Sequence, residues 1–246
     1  LILIEDCAQA WGARYRGQPI GTIGDIACFS LQQSKHITTG DGGIVATNSE
    51  RFGPLLQLFG DKGFNRSNPT APTEHFASNL RMSELQAAFA AAQMLRMEGI
   101  AETRNKLANL LGAEIKGAKG ITIPATDSRD RCTFYSYLVR IVPEQLNCNR
   151  AEFVKALGAE GVSCGAGYIP ELLYEKPIFQ KHSFFGGRWT VKEAGLTEMD
   201  YTKVSCPEAS RILNTLVRIN VHEGMSESYI REAGAAVRKV TAHFAS

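Results

Sequence analysis

An amine and a carboxylate stand out as groups placed to do chemistry. Lys35 lies in Ser30-Leu-Gln-Gln-Ser-Lys35-His-Ile-Thr-Thr-Gly40-Asp-Gly-Gly43, where an apolar run ends and a glycine-rich turn follows. Lysine is the side chain that condenses with an aldehyde to give an imine, once desolvation favours its neutral form. Ser30 and the loop hydroxyls, helped by backbone N–H groups at the glycines, could hold a phosphate. The turn Gly40-Asp41-Gly42-Gly43 lets backbone pass close to a ligand. A bare phosphate loop is disfavoured, because G-x-x-x-x-G-K-[ST] is absent. The carboxylate is Asp6, at the end of the run Leu1-Ile2-Leu3-Ile4-Glu5. Taken singly, each has a plain reading: Lys35 as a solvated amine beside a glycine hairpin, Asp6 as a capping or turn residue.

The elements that would carry these groups follow from periodicity. Leu1 to Ile4 reads as a strand buried on both faces of a parallel sheet, ending in Glu5-Asp6. Ile26 to Leu31 and Ile44 to Thr47 read as two more strands. Ligands of open α/β sheets collect at the carboxyl ends of strands, where a carboxylate needs a partner. Ser49 to about Phe59 can be helical with Ser49 as N-cap, and Gly63 to Ser78 reads as a long surface loop. Ser83-Glu84-Leu85-Gln86 is a capping box opening a helix that runs to about Leu111, with Leu85, Ala88, Phe89 and Ala92 on one apolar face. After a polar break at Lys116 to Gly120, Phe134 to Val142 alternates as a strand, with Tyr135, Tyr137, Val139 and Ile141 on one side. Asn149 opens a further helix that stops near Gly161, Pro170 to Pro207 is irregular and aromatic, and Ser226 caps a last amphipathic helix. The expected class is α/β: a mostly parallel large domain over residues 1–115, then a smaller α+β domain over 116–246. In this frame Asp6 and Lys35 lie at or just beyond the ends of successive strands, as a pyridoxal phosphate (PLP) site requires. Such a site needs a lysine for the imine and an acid on the pyridinium nitrogen.

Bulk composition narrows the partners. With 246 residues, 44% hydrophobic and 21% charged, the chain is ordinary for a soluble globular protein. A formal net charge of +2 with scattered Lys and Arg gives no basic stripe for nucleic acid, and no apolar run approaches the ~20 residues of a membrane span. Six cysteines without C-x-x-C spacing read as buried reduced thiols, so the expected compartment is the cytoplasm. The apolar opening at Leu1, without an initiating Met, leads to the expectation that an N-terminal section precedes it.

Three ordered motifs resemble one family. Ile4-Glu5-Asp6-Cys7-Ala8-Gln9-Ala10 with Gly12-Ala13 is similar to an E-D-x-A-Q-A-x-G-A segment of the DegT/DnrJ/StrS sugar aminotransferases. Gly24-Asp25-Ile26 to Phe29-Ser30, Lys35, and Thr38-Thr39-Gly40-Asp41-Gly42-Gly43 resemble its lysine segment. Asn79-Leu80-Arg81-Met82-Ser83-Glu84-Leu85-Gln86-Ala87-Ala88 resembles its third signature.

The resemblance implies a fold-type-I PLP-dependent transferase and an aminotransferase activity. It implies Lys35 as Schiff-base lysine and proton carrier, Asp6 on the pyridinium nitrogen, Gln9 on the ring hydroxyl and Ser30 on the cofactor phosphate. Asn79 would reach the phosphate of the neighbouring subunit's PLP, in a homodimer with shared active sites. The donor would be glutamate or glutamine, the acceptor a keto sugar, often nucleotide-linked, or a cyclitol ketone. Gln32-Gln33-Ser34 before the lysine looks like the branch acting on cyclitols or making aminohydroxybenzoate. A PLP-dependent dehydratase of the same fold and a non-catalytic PLP-binding regulator are the alternatives. His36 is expected to face solvent from its loop. His222, Tyr168, Tyr174 and Phe184 to Trp189 each have a packing reading beside a site-lining one, and Arg81 pairs either with a substrate carboxylate or with a neighbouring acid.

Overall fold

Short branched-apolar segments separated by glycine turns build the sheet that carries the candidate residues. The computed structural model describes residues 1–245, whose contacts form two compact units. The first contains residues 1–110, 125–135 and 221–227; the second contains 111–124, 136–220 and the chain from Ser228 on.

In the first unit, β1 (Ile4–Asp6) is followed by a two-stranded hairpin, β2 (Arg14–Tyr15) and β3 (Gln18–Pro19), turned by Arg16 and Gly17 at positive φ. β4 (Ile26–Ser30) and β5 (Gly43–Ala46) complete a three-stranded sheet of order β1-β4-β5. β1 runs parallel to β4, with Asp6 opposite Cys28, and β5 returns antiparallel with Gly43 opposite Ser30. In this chain the opening run is paired on one side only, with β4. β1 is an edge strand that starts only at Ile4, and Leu1 to Ile4 are exposed, Ile4 by 59%. Helices α1 (Phe52–Gly60), α2 (Glu84–Met94) and α3 (Met97–Ile115) follow.

The Ser83 capping box forms as the sequence requires: its side chain accepts the Gln86 N–H, and the Gln86 side chain accepts the Ser83 N–H. The expected single helix is broken at Leu95-Arg96. Its apolar stripe is not buried either: Leu85 is 85% and Phe89 53% exposed, and Ala90, on another face, packs inward. A small core of Trp11, Leu31, Ile37, Ala90 and Ile100, flanked by Phe29, Met82 and Met97, sits beneath the lysine loop.

The second unit is built on a four-stranded antiparallel sheet of order β6-β7-β9-β8. In chain order its elements are β6 (Ile121–Thr122), β7 (Tyr137–Ile141), α4 (Arg150–Ala159), β8 (Cys164–Ala166), the short helices α5 (Pro177–Gln180) and α6 (Thr190–Glu193), α7 (Pro207–Thr215), β9 (Leu216–Ile219) and α8 (Glu227–Phe244). Tyr137, Val139 and Ile141 face inward as alternation predicts, whereas Phe134 takes a positive φ and Tyr135 precedes the strand. α4 carries the second capping box, Asn149 with Glu152. α8 buries Ile230, Ala233, Val237 and Val240 as the pattern anticipates. All six cysteines are free thiols; Cys7 alone is fully buried, while Cys132 and Cys206 are exposed, which corrects the expectation of uniform burial. Among the described residues no helix is long and apolar enough to cross a membrane.

Candidate active site

The pleat of β1 separates two adjacent acids. Residues in register on parallel neighbours share a face, and alternate residues switch faces. Asp6, Cys28 and Ser30 therefore face one side, and Glu5, Ala27 and Phe29 the other. Glu5 is stitched into a turn: its carboxylate accepts the N–H groups of Gly21 (2.8 Å), Ile23 (2.8 Å) and Gly24 (2.7 Å). Burial works to raise its pKa, but these three donors outweigh it and hold the carboxyl below the usual range. Asp6 is exposed and accepts one contact from its own turn, the Ala8 N–H at 3.0 Å. Gln9 follows three residues later, exposed on the turn in which Ala10 N–H bonds the Cys7 carbonyl at 3.0 Å.

β4 delivers Ser30 to the same edge. Its Oγ accepts the Gln32 N–H at 3.3 Å, and its carbonyl takes the Trp11 indole N–H at 2.7 Å. The loop that follows is clamped at its base. Leu31 N–H bonds the Gly42 carbonyl (2.9 Å), and the Leu31 carbonyl accepts both Thr39 N–H (2.9 Å) and Thr38 Oγ1 (3.0 Å). Leu31 and Ile37 are fully buried, so both legs are pinned in the core while Lys35 rides at the turn between them. Gly42, at φ 129°, is where only glycine fits easily: a side chain there is conformationally strained and would crowd Thr39. Gln86 Nε2 donates to the Asp41 carbonyl at 3.0 Å, tying α2 to this turn.

Three consecutive residues of the loop meet the segment 133–135. Ser34 Oγ and Tyr135 Oη are 2.8 Å apart, Lys35 Nζ stands 4.8 Å from the Tyr135 ring centroid, and His36 Nε2 lies 3.1 Å from the Thr133 carbonyl. The segment is itself fixed. Arg14 and Arg131 exchange backbone hydrogen bonds at 2.9 Å, the Arg131 guanidinium bonds the Gly12 carbonyl and Glu98, and Asn105 Nδ2 donates to the Cys132 carbonyl at 2.9 Å. Gly12 is required there, since an added side chain would collide with Ala101 and Met97.

His36 does not face solvent as expected; it is 4% exposed. Burial first, and then the Arg104 guanidinium, push its pKa down to about 4, so the ring is neutral near pH 7. Arg104 is itself buried and paired with Glu223 at 2.7 Å. His222 accepts the Gly224 N–H at 3.1 Å within its own turn. The aromatic residues of the 168–206 stretch pack mainly on one another: Trp189 and Tyr201 are 5.5 Å apart, His182 and Trp189 4.6 Å, and Tyr174 Oη accepts the Cys206 N–H.

Asn79 belongs to a cluster around Asp61. Its backbone bridges Asp61, and its Oδ1 accepts from Arg81 Nε at 3.0 Å. Asp61, buried at 5% exposure, is the hub: it pairs with Lys62 (2.9 Å), Arg66 and Arg81 (3.0 Å). Hydrogen bonds from Lys62 and Arg66 hold its carboxyl below the usual range. The neighbouring acid of Arg81 is thus Asp61. The cluster borders an open cavity of about 710 Å³ lined also by Pro54, Leu58, Phe64 and Leu80. Sequence reasoning passed over Asp61 and Tyr135; a lone Asp before Lys-Gly and a Tyr inside an apparent strand carry no spacing that marks them.

Comparison with known proteins places this geometry among characterised folds. The model of the DegT/DnrJ/EryC1/StrS aminotransferase family matches residues 1–238. An L-glutamine:2-deoxy-scyllo-inosose aminotransferase of Streptoalloteichus tenebrarius is 30% identical, covering 99% of this chain and 59% of its own length. The solved aminotransferase from Psychrobacter cryohalolentis superposes with a TM-score of 0.78 at 27% identity, over 99% of this chain and 62% of that one. Helicobacter pylori PseC, an aminotransferase involved in the biosynthesis of pseudoaminic acid, shares the fold with a TM-score of 0.80 at 19% identity, over 99% of this chain and 60% of that one. The chain spans about 60% of the length of the curated relatives it matches.

Proposed function

Because the chain belongs to the DegT/DnrJ/EryC1/StrS aminotransferase family and has its fold-type-I architecture, we propose that it is the lysine-bearing part of a PLP-dependent aminotransferase. The transfer runs from glutamate or glutamine to the ketone of a sugar, often nucleotide-linked, or of a cyclitol. The observation that carries this reading is the shared edge of β1 and β4. Parallel neighbours stand ~4.8 Å apart: Asp6 ends β1 and Ser30 ends β4 on the same face, and the loop that leaves β4 carries Lys35. These groups fit PLP by their chemistry: an amine for the aldehyde, an anion for the ring nitrogen, a hydroxyl for the phosphate.

When bound, the cofactor supplies an aldehyde that accepts the donor's nitrogen and a protonated ring that draws off electrons. Lys35 Nζ would hold it covalently, and the same atom, when free, would take up and return the proton as general base and acid. Asp6 keeps the ring nitrogen protonated, Gln9 orients the ring hydroxyl and Ser30 anchors the phosphate. Asn79 serves the phosphate bound by a second subunit, so the working form is a homodimer with shared sites. The exposed Leu85 and Phe89 of α2 support that reading, since apolar patches of this kind mark interfaces. We assign residues 1–115 to the cofactor-binding domain and 116–246 to the small domain, with 125–135 and 221–227 crossing back into the first compact unit and 111–115 falling in the second, in a cytoplasmic enzyme. The 30% identical cyclitol relative and the Gln32-Gln33-Ser34 run favour a cyclitol ketone as acceptor and glutamine as donor.

The test is to add PLP, reduce with borohydride and map the pyridoxyl group by peptide mass spectrometry. Label at Lys35, lost in Lys35→Ala together with amino transfer from glutamine to 2-deoxy-scyllo-inosose or a keto-sugar panel, is the expected result. A reducible PLP absorbance that persists in Lys35→Ala overturns the assignment.

A further inference from the structure

A lysine that is alternately bound and released must be kept near its target when released. Its four-carbon stem otherwise explores many rotamers. Here the two neighbours of Lys35 are both fastened to one strip of chain: Ser34 Oγ to Tyr135 Oη at 2.8 Å, and His36 Nε2 to the Thr133 carbonyl at 3.1 Å. Between those two fastenings the Lys35 amine lies over the face of the Tyr135 ring, 4.8 Å from its centroid. A cation over a tyrosine face is attracted by the negative centre of the ring's quadrupole. The hydroxyl contact with Ser34 holds the ring's outer edge, so its face stays turned to the amine.

Resting on the proposed role of Lys35, we infer that Tyr135 is a positioning residue whose ring face receives the freed Lys35 ammonium and keeps it within reach of the reacting centre. The rear of the arrangement does not loosen near neutrality, because His36 is buried, uncharged and backed by the Arg104–Glu223 pair. The Tyr135 ring faces Lys35 across the contact, with Ser34 on the ring's hydroxyl. The ring orients the amine, and pre-placement of this kind is what raises the rate of an intramolecular step.

The experiment compares wild type with Tyr135→Leu, Tyr135→Phe and Ser34→Ala by two readouts. The first needs no cofactor: the rate of acylation of Lys35 by an amine-reactive reagent, followed by peptide mass spectrometry against the other lysines. Tyr135→Leu is expected to raise it by roughly 2- to 30-fold, the range for loss of one cation–π contact, with the remaining lysines unchanged. The second is the rate at which added PLP becomes borohydride-fixed at Lys35, expected to fall in Tyr135→Leu and to recover most of the difference in Tyr135→Phe, which keeps the ring. Equal acylation of Lys35 in wild type and Tyr135→Leu, or a Tyr135→Phe protein as impaired as Tyr135→Leu, overturns the inference. Should Tyr135→Leu fail to fold, ¹³C reductive methylation of the wild type decides. An upfield ring-current shift of the methyl signal at Lys35 supports the contact, and its absence refutes it. A wild type that never takes PLP at Lys35 sinks the functional reading alone, since the acylation and methylation arms still judge the ring.

Discussion

The two units differ in which apolar side chains they bury. In the second, Phe153, Leu157, Val139, Val217, Ile219, Ile230 and Val237 are fully buried between the antiparallel sheet and its helices. In the first, Ile4 and Val45 on one sheet face, and Leu85 and Phe89 on α2, look outward, and the buried core is a small cluster under the lysine loop. The unit built on the four-stranded sheet carries no candidate cofactor residue, and the other carries all of them. Stability and chemistry are thus divided, and the open faces belong to the part proposed to work as one half of a dimer.

That contrast can be broken or sharpened by substitution. The largest effect is expected in the closed core: Phe153→Ala removes a fully buried ring and should lower the unfolding free energy by ~3–5 kcal/mol, measured by urea denaturation, with little change in Lys35 acylation. A smaller loss, ~3 kcal/mol, should come from acid acting on the first unit. His36 has a folded pKa of about 4 against ~6.5 unfolded. Between these values the unfolded chain binds a proton that the folded chain refuses, so stability is full above pH ~6.5 and is lost as pH falls toward 4. His36→Leu should flatten that slope, and an unchanged slope would show that other groups drive it. Ser83→Ala removes a formed capping box and should cost ~1 kcal/mol. Smallest is Leu85→Ala on the exposed stripe, expected within about 0.5 kcal/mol in a monomer but weakening self-association in analytical ultracentrifugation; a large stability loss with unchanged association would put that stripe in a core.

Much of this was legible in sequence because it was local. The Ser83 and Asn149 capping boxes, the β4–Lys35–glycine turn and the inner face of α8 each depend on residues within a few positions, and each formed as spacing predicts. What escaped depends on distant chain. The stripe of α2 is helical in period, but its partner is not encoded in that period. His36 is polar and in a loop, and only the arrival of Thr133 and Arg104 from far along the chain buries it. Tyr135 fell into an alternating run, but a left-handed Phe134 takes it out of the strand and toward the lysine. Strands β6, β8 and β9 are two to four residues long, too short for alternation to register.

The adjacent acids of β1 have a last consequence. Glu5 satisfies the backbone of one turn and Asp6 stands exposed on the opposite face, and only the parity of the pleat decides which is which. A slip of one residue in the β1–β4 pairing would exchange them, leaving the Gly21–Gly24 turn unsatisfied and pointing the other acid outward. Misthreaded chains would therefore forfeit shape and reactivity at a stroke, so the strand proofreads its own alignment: any molecule sound enough to persist already presents the correct acid.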